Sequence, residues 1–419
     1  MPMTLQREEL VLVGFSRTLL GPLAEVLPPG SVLVIDEPDI AARRGVARLA
    51  AEFPAVSRVL LWEYQRPGAM AELLRAEPGL KTARGVLPGI EYAVTAAADL
   101  AAGIGVPGAG ARAGLIFRDK ARQRTAAAAA GIRNPRWAMA DSTDEAAAFL
   151  AAVGSRCVIK PSARQASLGV RFVSTPQEAA AALEQARSAT EVLLEPDRGI
   201  RSATLIEEAL TGAEYSVELL VRAGTPVFAN VTAKQVLAGD FPVELGHLVP
   251  APVPAALTAE LTDSTARLAR ACGFGSGVLH CEWIVDAAGP AFVECAARMP
   301  GDEVGTLISL AYGFPMTRAY LEVLLGSAPA LPSSATGGAA VRFLLAVPGV
   351  IQAIDGAAEA ERAPGVRAVR VGVHPGDTMR QVTSSWDRAG YVLATASDAG
   401  QAGARAAAAA SLIDIRTVP

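Results

Sequence analysis

The sequence predicts a multidomain protein that combines the α/β and α+β fold classes, and three observations support this. From residue 9 to about residue 116, short apolar runs that end in polar turns alternate with helical stretches, which is typical of a parallel sheet with crossover helices. From about residue 136 onward, capped helices are interspersed with shorter strand-like segments. The chain has 419 residues, enough for two to four domains with cores of their own.

Composition narrows the class of protein. Hydrophobic residues make up 51% of the chain and charged residues 19%, and the formal net charge is −4. We therefore expect a folded globular protein. We expect no nucleic-acid partner, because binding a nucleic acid would require a basic stripe on the surface. No stretch of ~18 uninterrupted apolar residues and no signal-peptide profile occur, so we expect no membrane association and a cytoplasmic location. The cysteines lack C-x-x-C spacing and are expected to be reduced core residues: Cys157, Cys272, Cys281 and Cys295.

Residues 1–116 are predicted to form an N-terminal α/β domain. Its predicted strands are ELVLVGFS, SVLVIDEP and RVLLWEY, and its clearest helix is EYAVTAAADLAAGIG. The first strand ends in Gly14-Phe15-Ser16 and lacks the G-x-G-x-x-G pattern, so no dinucleotide site is expected there.

Residues 117–204 are predicted to form a small α+β subdomain. Its helices are RDKARQRTAAAAAGIRN with Gly131 as C-cap, DSTDEAAAFLAAVG and TPQEAAAALEQARSA, and its strands are RCVIKP and GVRFVST. The loop SARQASLGV between these strands contains Ser167 and Gly169, whose small size would let backbone N–H groups approach phosphates. Because the loop does not match the P-loop pattern, we expect a hairpin flap over a nucleotide. An ordinary Gly/Ser turn is the alternative.

Residues 205–325 are predicted to form a larger subdomain with the strands LIEEAL, AEYSVELLVRAG and VFANVTAKQV, the helix TAELTDSTARLARACG and a hairpin. The Gly/Ser/Pro-rich stretch at 326–338 is the expected linker. Residues 339–419 then form a small α+β lobe with the strands AAVRFLLAVPG, VRAVRVGV and GYVLATA and a final helix.

Two glutamates on the predicted hairpin, GVLHCEWIVDAAGPAFVECAARMPGDE, give the clearest chemical signal. With a loop over residues 286–290, Glu282 and Glu294 face each other across the strands. Opposed like charges with Cβ atoms about 5 Å apart are destabilising unless a cation lies between them. Two carboxylates with room for phosphate oxygens can hold Mg²⁺ beside a nucleotide. The alternative is a slipped register with both glutamates in solvent.

The few lysines point to phosphate chemistry as well. The chain has only Lys81, Lys120, Lys160 and Lys234, and a lysine is a compact point charge that suits a phosphate oxygen. Lys160 ends the apolar run CVIK, so it should emerge from a buried strand. Lys81, in EPGLKTARG, is expected to be a solvated surface residue.

The string IEEALTGAEYSVE suggests nucleoside contacts. Glu207 and Glu208 end an apolar strand, and Glu214 begins the next one. The carboxylate of Glu214 could accept both hydroxyls of a ribose, and backbone groups at Glu208 and Leu210 could pair with a purine edge. A solvated acidic hairpin is the alternative.

Arg298 follows Glu294 by four residues, at the end of the hairpin. Its guanidinium could clamp a transferred phosphate and a developing oxyanion. The alternative is a salt bridge to Glu294 or Asp302.

The order of these strings resembles the ATP-grasp superfamily over residues 1–325. The residues that carry the resemblance are RDKARQRTAAAAAGIRNP, CVIKPSARQASLGVRFV, IEEALTGAEYSVELL and HCEWIVDAAGPAFVECAARMPGD. The resemblance implies an ATP-grasp fold preceded by an α/β domain, in which 117–204 is the lid and 205–325 carries the Mg-ATP site. It implies that Lys120 and Lys160 bind ATP phosphates and that the stretch from Glu207 to Leu210 is the adenine hinge. It also makes Glu214 the ribose ligand and Glu282 and Glu294 the magnesium ligands.

Within the superfamily the chain is most similar to L-amino-acid ligases. ECAARMPGD is close to their E-S-A-A-R pattern, and the segment after residue 339 looks like their C-terminal lobe. Ala296 stands where many ATP-grasp enzymes have an asparagine that completes a magnesium shell, which weakens the match to D-alanine–D-alanine ligases. His247 lies where the subgroup has a histidine near the second substrate, although a structural role is an equal alternative.

The function that the resemblance implies is ATP-dependent carboxylate–amine ligation through an acyl phosphate, with release of ADP and phosphate. The cofactors would be ATP and Mg²⁺, with two ions expected and Mn²⁺ as a substitute, and the partners a small-molecule acid and amine. Catalytic candidates are Arg298, His247 and Lys234, and a homodimer is compatible with the sequence. The alternatives are a bicarbonate-dependent carboxylase, a thioester-forming ligase or a non-catalytic nucleotide-binding protein.

Overall fold

A four-stranded parallel sheet forms the N-terminal domain in the computed structural model, which describes residue 3, residues 5–200 and residues 202–418. Its strands are β1 (Leu10–Val13), β2 (Val32–Asp36), β3 (Val56–Leu61) and β4 (Gly85–Pro88), in the order β3-β2-β1-β4. The predicted parallel sheet and its first three strands are confirmed. The central strands β1 and β2 are buried along their whole length, as their uninterrupted apolar sequences require.

The helices that surround this sheet or follow it are α1 (Arg17–Leu20), α2 (Pro38–Arg44), α3 (Val46–Ala50), α4 (Ala69–Ala76), α5 (Val94–Ile104) and α6 (Ala111–Phe117). Short 3-10 turns lie at Gly21–Leu23, Pro78–Thr82 and Glu91–Ala93.

The lid subdomain is an antiparallel sheet covered by helices. Its elements are α7 (Lys120–Ala129), β5 (Trp137–Met139), α8 (Thr143–Val153), β6 (Cys157–Pro161), β7 (Arg171–Val173), α9 (Pro176–Ser188) and β8 (Thr204–Glu208). The strand order is β5-β8-β6-β7, so β8 pairs within the lid sheet. The sequence had placed this strand in the larger subdomain, which is wrong because β8 finds its hydrogen-bond partners on β5 and β6.

The helix signals in the lid were read correctly. Ser142 caps α8, and Thr175 and Glu178 form a capping box at the start of α9. The helix α7 ends one residue earlier than predicted. Ala130 is its C-cap, and Gly131 follows in the left-handed region at φ 65°.

The rest of the chain is built on one eight-stranded sheet. Its central elements are β9 (Ala213–Arg222), β10 (Thr225–Val236), β11 (Glu244–Val249), α10 (Ala255–Cys272), β12 (Gly277–Asp286), β13 (Gly289–Ala296), α11 (Val304–Tyr312) and α12 (Met316–Leu324). Its C-terminal elements are β14 (Gly338–Leu344), β15 (Gly349–Asp355), α13 (Ala357–Arg362), β16 (Val366–Val371), β17 (Thr378–Met379), β18 (Gly390–Ala396), α14 (Ala399–Ala410) and β19 (Asp414–Val418), with a 3-10 turn at Ser385–Asp387.

The strand order β13-β12-β9-β10-β11-β14-β18-β16 joins the central and C-terminal segments. Three strands of the C-terminal segment therefore extend the central sheet instead of forming a sheet of their own. The strands β17, β15 and β19 form a separate three-stranded sheet. The stretch before β14 is an irregular connection, as the linker prediction required, but the sheet continues across it.

One face of the central sheet is apolar and packs on α10. This core contains Leu279, Cys281, Trp283, Phe292 and Cys295, all at most 2% exposed. All four cysteines are buried and free, which confirms the core positions predicted for them. Within the described ranges, no helix is both long enough and apolar enough to span a bilayer.

Candidate functional site

The other face of the central sheet is polar, because polar side chains recur at every second residue of three adjacent strands. Successive side chains of a strand point to opposite faces, so residues two apart share a face. The residues on this face are Glu214, Ser216 and Glu218 on β9, Asn230, Thr232 and Lys234 on β10, and His280 and Glu282 on β12. The lid lies over this face, since its residues Lys160 and Val170 line one cavity together with Glu214 and Glu282.

Glu282 and Glu294 are directly opposed in the ladder between β12 and β13, as predicted. The hairpin turn is tighter than expected, since Asp286 still pairs with Gly289 and only two residues form the turn. A lysine neutralises each carboxylate: Lys234 Nζ lies 2.7 Å from Glu282 and Lys120 Nζ lies 3.0 Å from Glu294. The slipped, solvated hairpin is thereby excluded.

Lys234 lies in a ring of carboxylates. Its side chain is buried, with Glu282 at 2.7 Å, Glu244 at 3.2 Å and Glu214 at 3.9 Å. Burial alone would lower the pKa of Lys234, but these carboxylates, Glu282 foremost, raise it well above its usual value. Lys234 therefore stays positively charged, and its ammonium group could bind a phosphate.

Lys160 emerges from the buried strand β6, as predicted, and faces a second carboxylate. Its Nζ lies 2.7 Å from Glu207, which also receives two 2.8 Å hydrogen bonds from Arg124. Although burial raises the pKa of Glu207, Arg124 and then Lys160 lower it to about 2. The Glu207 carboxylate is thus ionised and paired with Arg124 and Lys160.

The predicted adenine hinge is only partly free. The backbone N–H of Glu208 donates to the Arg136 carbonyl, and its carboxylate lies 3.3 Å from the Arg136 guanidinium. Leu210 follows β8 and lines a cavity, as Glu214 does. The assignments of Glu207, Glu208, Leu210 and Glu214 to a nucleoside stay predictions.

Two cavities meet above the polar face. The smaller, of ≈ 110 Å³, lies under the flap and is lined by apolar residues such as Val158, Val170, Leu210 and Ile284. The larger, of ≈ 620 Å³, lies between the N-terminal domain, the flap and the central sheet. They share the lining residues Lys120, Arg164, Gln165, Ser167, Lys234, Glu244, Glu282 and Glu294. The paired glutamates and two of the lysines therefore stand at the junction.

The loop between β6 and β7 is a hairpin flap, as predicted, since these strands pair antiparallel. Ala166 and Ser167 adopt positive φ angles of 55° and 57°, and the Ser167 hydroxyl donates to the Pro242 carbonyl at 2.9 Å. The phosphate contact expected of Gly169 stays a prediction, and the structure adds a packing constraint at this position. A Cβ atom there would lie 2.9 Å from Ala189 Cβ and 3.0 Å from Pro161 Cγ, so this glycine packs against the lid.

Arg298 makes neither of the salt bridges predicted as its alternatives. Its Nε lies 2.7 Å from Glu91 of the N-terminal domain, its Nη1 donates to the Met299 carbonyl, and its Nη2 donates to Gln165 of the flap at 3.3 Å. Burial raises the pKa of Glu91, but Arg298 and Arg118 outweigh it and lower the pKa. The guanidinium lines the larger cavity, and its role as a clamp stays a prediction.

His247 lines the larger cavity too. Its Nε2 lies 3.5 Å from Asp302, which is paired with Arg388 of the C-terminal segment. Its Nδ1 is buried without a hydrogen-bond partner. The catalytic role of His247 stays a prediction. Lys81 lies on the surface, as expected.

Sequence reasoning missed several residues of this site. Glu91 gave no signal, because it lies 207 residues from its partner Arg298. Glu218 and His280 could have been found, since they continue the two-residue alternation that contains Glu214 and Glu282.

The donor set fits a hard divalent cation only with ligands added by a substrate. Among residues 3, 5–200 and 202–418, no group of three or more His, Cys, Asp or Glu side chains is arranged as a metal cluster. Mg²⁺ commonly takes one or two carboxylates together with phosphate oxygens. Glu282 and Glu294 meet that requirement. If their lysine partners turned toward the phosphates, both carboxylates would have oxygens available to bind the ion.

Comparison with known proteins agrees with this geometry. A family model of the ATP-grasp domain matches residues 153–306, and a model described as L-amino acid ligase C-terminal domain 2 matches residues 342–418. The L-amino acid ligase from Bacillus licheniformis superposes with a TM-score of 0.76 at 17% identity over 98% of both chains. Phosphoribosylglycinamide synthetase from Anaerococcus prevotii superposes with a TM-score of 0.69 at 13% identity, over 98% of this chain and 99% of its own.

Curated relatives cover parts of the chain. The uncharacterized protein y4rH of Sinorhizobium fredii is 28% identical over 281 residues, which is 66% of this chain and 56% of that protein. Carnosine synthase 1 of Gallus gallus is 30% identical over 32% of this chain and 14% of its own length. D-alanine–D-alanine ligase of Ectopseudomonas mendocina is 28% identical over 50% of this chain and 64% of its own. The chain thus matches less than two thirds of each of these relatives.

These matches confirm the ATP-grasp fold and the resemblance to L-amino-acid ligases that the sequence indicated. The similarity also extends to D-alanine–D-alanine ligases, to which Ala296 was expected to weaken the match.

Proposed function

We propose that this protein is an ATP- and Mg²⁺-dependent carboxylate–amine ligase that joins amino-acid-like substrates through an acyl phosphate and releases ADP and phosphate. One observation carries the proposal. Glu282 and Glu294 are opposed at the junction of two cavities, each neutralised by a lysine that phosphates could recruit. The match to the ATP-grasp domain model and the similarity to a D-alanine–D-alanine ligase support the same reaction class. The four buried free thiols fit the cytoplasmic location predicted from the sequence.

In this proposal the smaller cavity takes the nucleoside. Its walls are Val158, Phe172, Leu210 and Ile284, which suit the faces of a purine, and Glu214 at its edge would accept the ribose hydroxyls. The phosphates would then reach Lys120, Lys160 and Lys234. Glu282 and Glu294 would hold Mg²⁺, which neutralises phosphate charge during the transfer.

The larger cavity would take the acid and the amine. It opens onto Phe15 and Ser16 after β1 and onto Gly89 and Ile90 after β4. Ligands of open parallel sheets bind at the carboxyl ends of strands where the strand order reverses, and β1 and β4 form that point here. The N-terminal domain would therefore contribute the substrate wall.

The reaction has two steps. A carboxylate oxygen of the acid attacks the γ-phosphorus of ATP, the bond to the β-phosphate oxygen breaks, and ADP leaves. The amine nitrogen, after loss of a proton, attacks the acyl carbon, and the tetrahedral intermediate collapses with release of inorganic phosphate. The guanidinium of Arg298 would stabilise the acyl phosphate and the oxyanion. The flap would exclude water, which would otherwise hydrolyse the acyl phosphate.

The test is a screen of amino-acid pairs for ATP-dependent phosphate release, with mass spectrometry of the products. We expect at least one pair to give an amide, and Glu294→Gln to lose that activity while it keeps its fold. Bicarbonate in place of the acid provides a second arm. Product only with bicarbonate would move the protein to the carboxylases, and nucleotide binding without turnover in any arm would contradict ligation.

A further inference from the structure

Glu218 is a wholly buried carboxylate that has no role in the reaction as described so far. It lies in the middle of β9 and accepts four hydrogen bonds, from Ser216 Oγ at 2.7 Å, Asn230 Nδ2 at 2.6 Å, Thr232 Oγ1 at 2.7 Å and His280 Nδ1 at 2.9 Å. Such a carboxylate is costly to bury unless its acceptors are satisfied. Here they are, so its orientation is fixed by three strands.

His280 connects this carboxylate to the paired glutamates. It stands directly opposite Glu218 in the ladder between β12 and β9, and two residues before Glu282 on the same face. Its Nδ1 faces Glu218 and its Nε2 lies 3.5 Å from Glu282 Oε1. With Nδ1 donating to a fixed acceptor, the ring orientation is fixed and Nε2 is held toward Glu282.

Glu282 needs such a second partner if the proposed function is correct. Its 2.7 Å contact with Lys234 is the strongest that it makes, but Lys234 is also the cation expected to turn toward a phosphate. Once the lysine is shared with a nucleotide, His280 is still placed to keep the Glu282 carboxylate from rotating.

We propose that Glu218 and His280 are positioning residues that hold Glu282 in its Mg²⁺-binding orientation. The proposal rests on the function above, because it presumes that Glu282 binds the ion of a Mg-nucleotide. Hydrogen-bond partners behind a metal ligand contribute typically 10- to 100-fold in metal affinity. His280 lines the larger cavity, but neither it nor Glu218 lines the smaller cavity assigned to the nucleoside, so their loss should appear in ion binding before it appears in nucleotide binding.

The test measures ADP binding by calorimetry as a function of Mg²⁺ concentration, in the full-length protein without acid or amine. The main variant is His280→Asn, whose amide can still donate to Glu218 but is too short to reach Glu282. We expect the Mg²⁺ concentration at half-saturation to rise about 10- to 100-fold. The affinity for ADP without Mg²⁺ and the thermal midpoint of unfolding should stay close to those of the native protein.

Two further variants keep the result interpretable. His280→Gln, whose longer amide approaches Glu282, should recover part of the Mg²⁺ affinity. Trp283→Phe is the matched control: it removes a buried 3.1 Å hydrogen bond to Thr265 on the opposite face of the same strand, and its Mg²⁺ dependence should be unchanged. If His280→Asn does not fold, Ser216→Ala, which removes one donor to Glu218, should still weaken Mg²⁺ binding about threefold.

The outcomes separate the two proposals. A native protein that binds no Mg-ADP at all contradicts the proposed function. A native protein that binds Mg-ADP, with His280→Asn or Ser216→Ala binding Mg²⁺ at the native midpoint, overturns the positioning role and makes the Glu218 network purely structural.

Discussion

Arg298 meets a different part of the chain at each of its nitrogens. Glu91 belongs to the N-terminal domain, Gln165 to the flap and Met299 to the loop after the hairpin. The guanidinium is therefore placed only when the lid and the N-terminal domain are both in position. A residue held in this way is suited to stabilise charge that appears during the reaction.

Arg298→Ala should lower turnover by on the order of 10²–10³ while the Michaelis constant for ATP changes much less. The reason is that its charge matters most when the acyl phosphate and the oxyanion form. Arg298→Lys should recover little, because it lacks the two-pronged geometry. Arg318→Ala, which removes a partly exposed pair with Glu322 inside α12, is the control and should be active. Normal turnover per folded molecule in Arg298→Ala would make Arg298 a structural partner of Glu91.

Asp36, at the end of β2, links the stability of the protein to pH. Burial raises its pKa from 3.8 to about 6. The backbone N–H groups of Phe15 and Glu37 donate to the carboxylate and lower the pKa, but burial has the larger effect. Because the folded state binds this proton more tightly than the unfolded state, the stabilisation is complete below about pH 3.8 and is lost as the pH rises through about 6.

Asp36→Asn removes this titration, so comparing the two proteins isolates it. Between about pH 7.5 and about pH 5, the free energy of unfolding of the native protein should rise by about 1.4 kcal/mol relative to the variant. Urea unfolding at both pH values measures this. An unchanged difference would show that Asp36 titrates at its ordinary pKa.

At the scale of elements, local patterns were sufficient for helices with clear end signals and for the buried strands β1 and β2, whereas α11, α12 and β15 were not predicted. The capping residues Ser142 and Thr175 and the apolar runs of β1 and β2 are signals within a few residues of the elements they define. Short strands such as β4 and β5, with four and three residues, leave no such pattern. Sheet membership escaped prediction as well, since β8 and the C-terminal strands are assigned by pairing with distant segments.

The residues of the site also differ in how far local sequence patterns predict their contacts. The opposed pair of Glu282 and Glu294 follows from hairpin register, which is local. The ion pairs of Arg298 with Glu91 and of Lys160 with Glu207 join separate elements, and no spacing rule identifies them.

Gly169 offers a test of how the flap is held. An alanine there must adopt a φ near +74° and must also displace Ala189 or Pro161. Gly154→Ala is a matched control in the same subdomain, because Gly154 has φ +70° but open space around it. The control should lose about 1 kcal/mol of unfolding free energy from backbone strain. Gly169→Ala should lose clearly more and should raise the Michaelis constant for ATP, and equal losses would show that the flap tolerates the extra atom.

At the scale of the whole molecule, polar contacts fasten the lid to the N-terminal domain. Arg198 makes two hydrogen bonds of 2.8 and 2.9 Å to the buried carboxylate of Glu37, and Arg43 pairs with Asp197. Gln65 donates to the Leu194 carbonyl at 3.2 Å. These contacts join segments more than a hundred residues apart, so the closed arrangement was beyond sequence reasoning. They place the lid over both cavities.

Arg198→Ala should loosen this closure without touching either cavity. Arg198 is about one third exposed, so its pair with Glu37 should be worth at most about 1 kcal/mol. We therefore expect the Michaelis constant for ATP to rise up to about fivefold, with a smaller change in turnover and faster proteolysis of the lid in the absence of nucleotide. Added salt should reproduce part of this effect in the native protein, because partly exposed pairs are screened.

Arg187→Ala is the matched control, since Arg187 donates to the Asp141 carbonyl within the lid itself. If Arg198→Ala and Arg187→Ala behave alike in both measurements, the contact with Glu37 does not control closure, and the lid must be held by the Tyr92–Glu191 hydrogen bond and the flap instead.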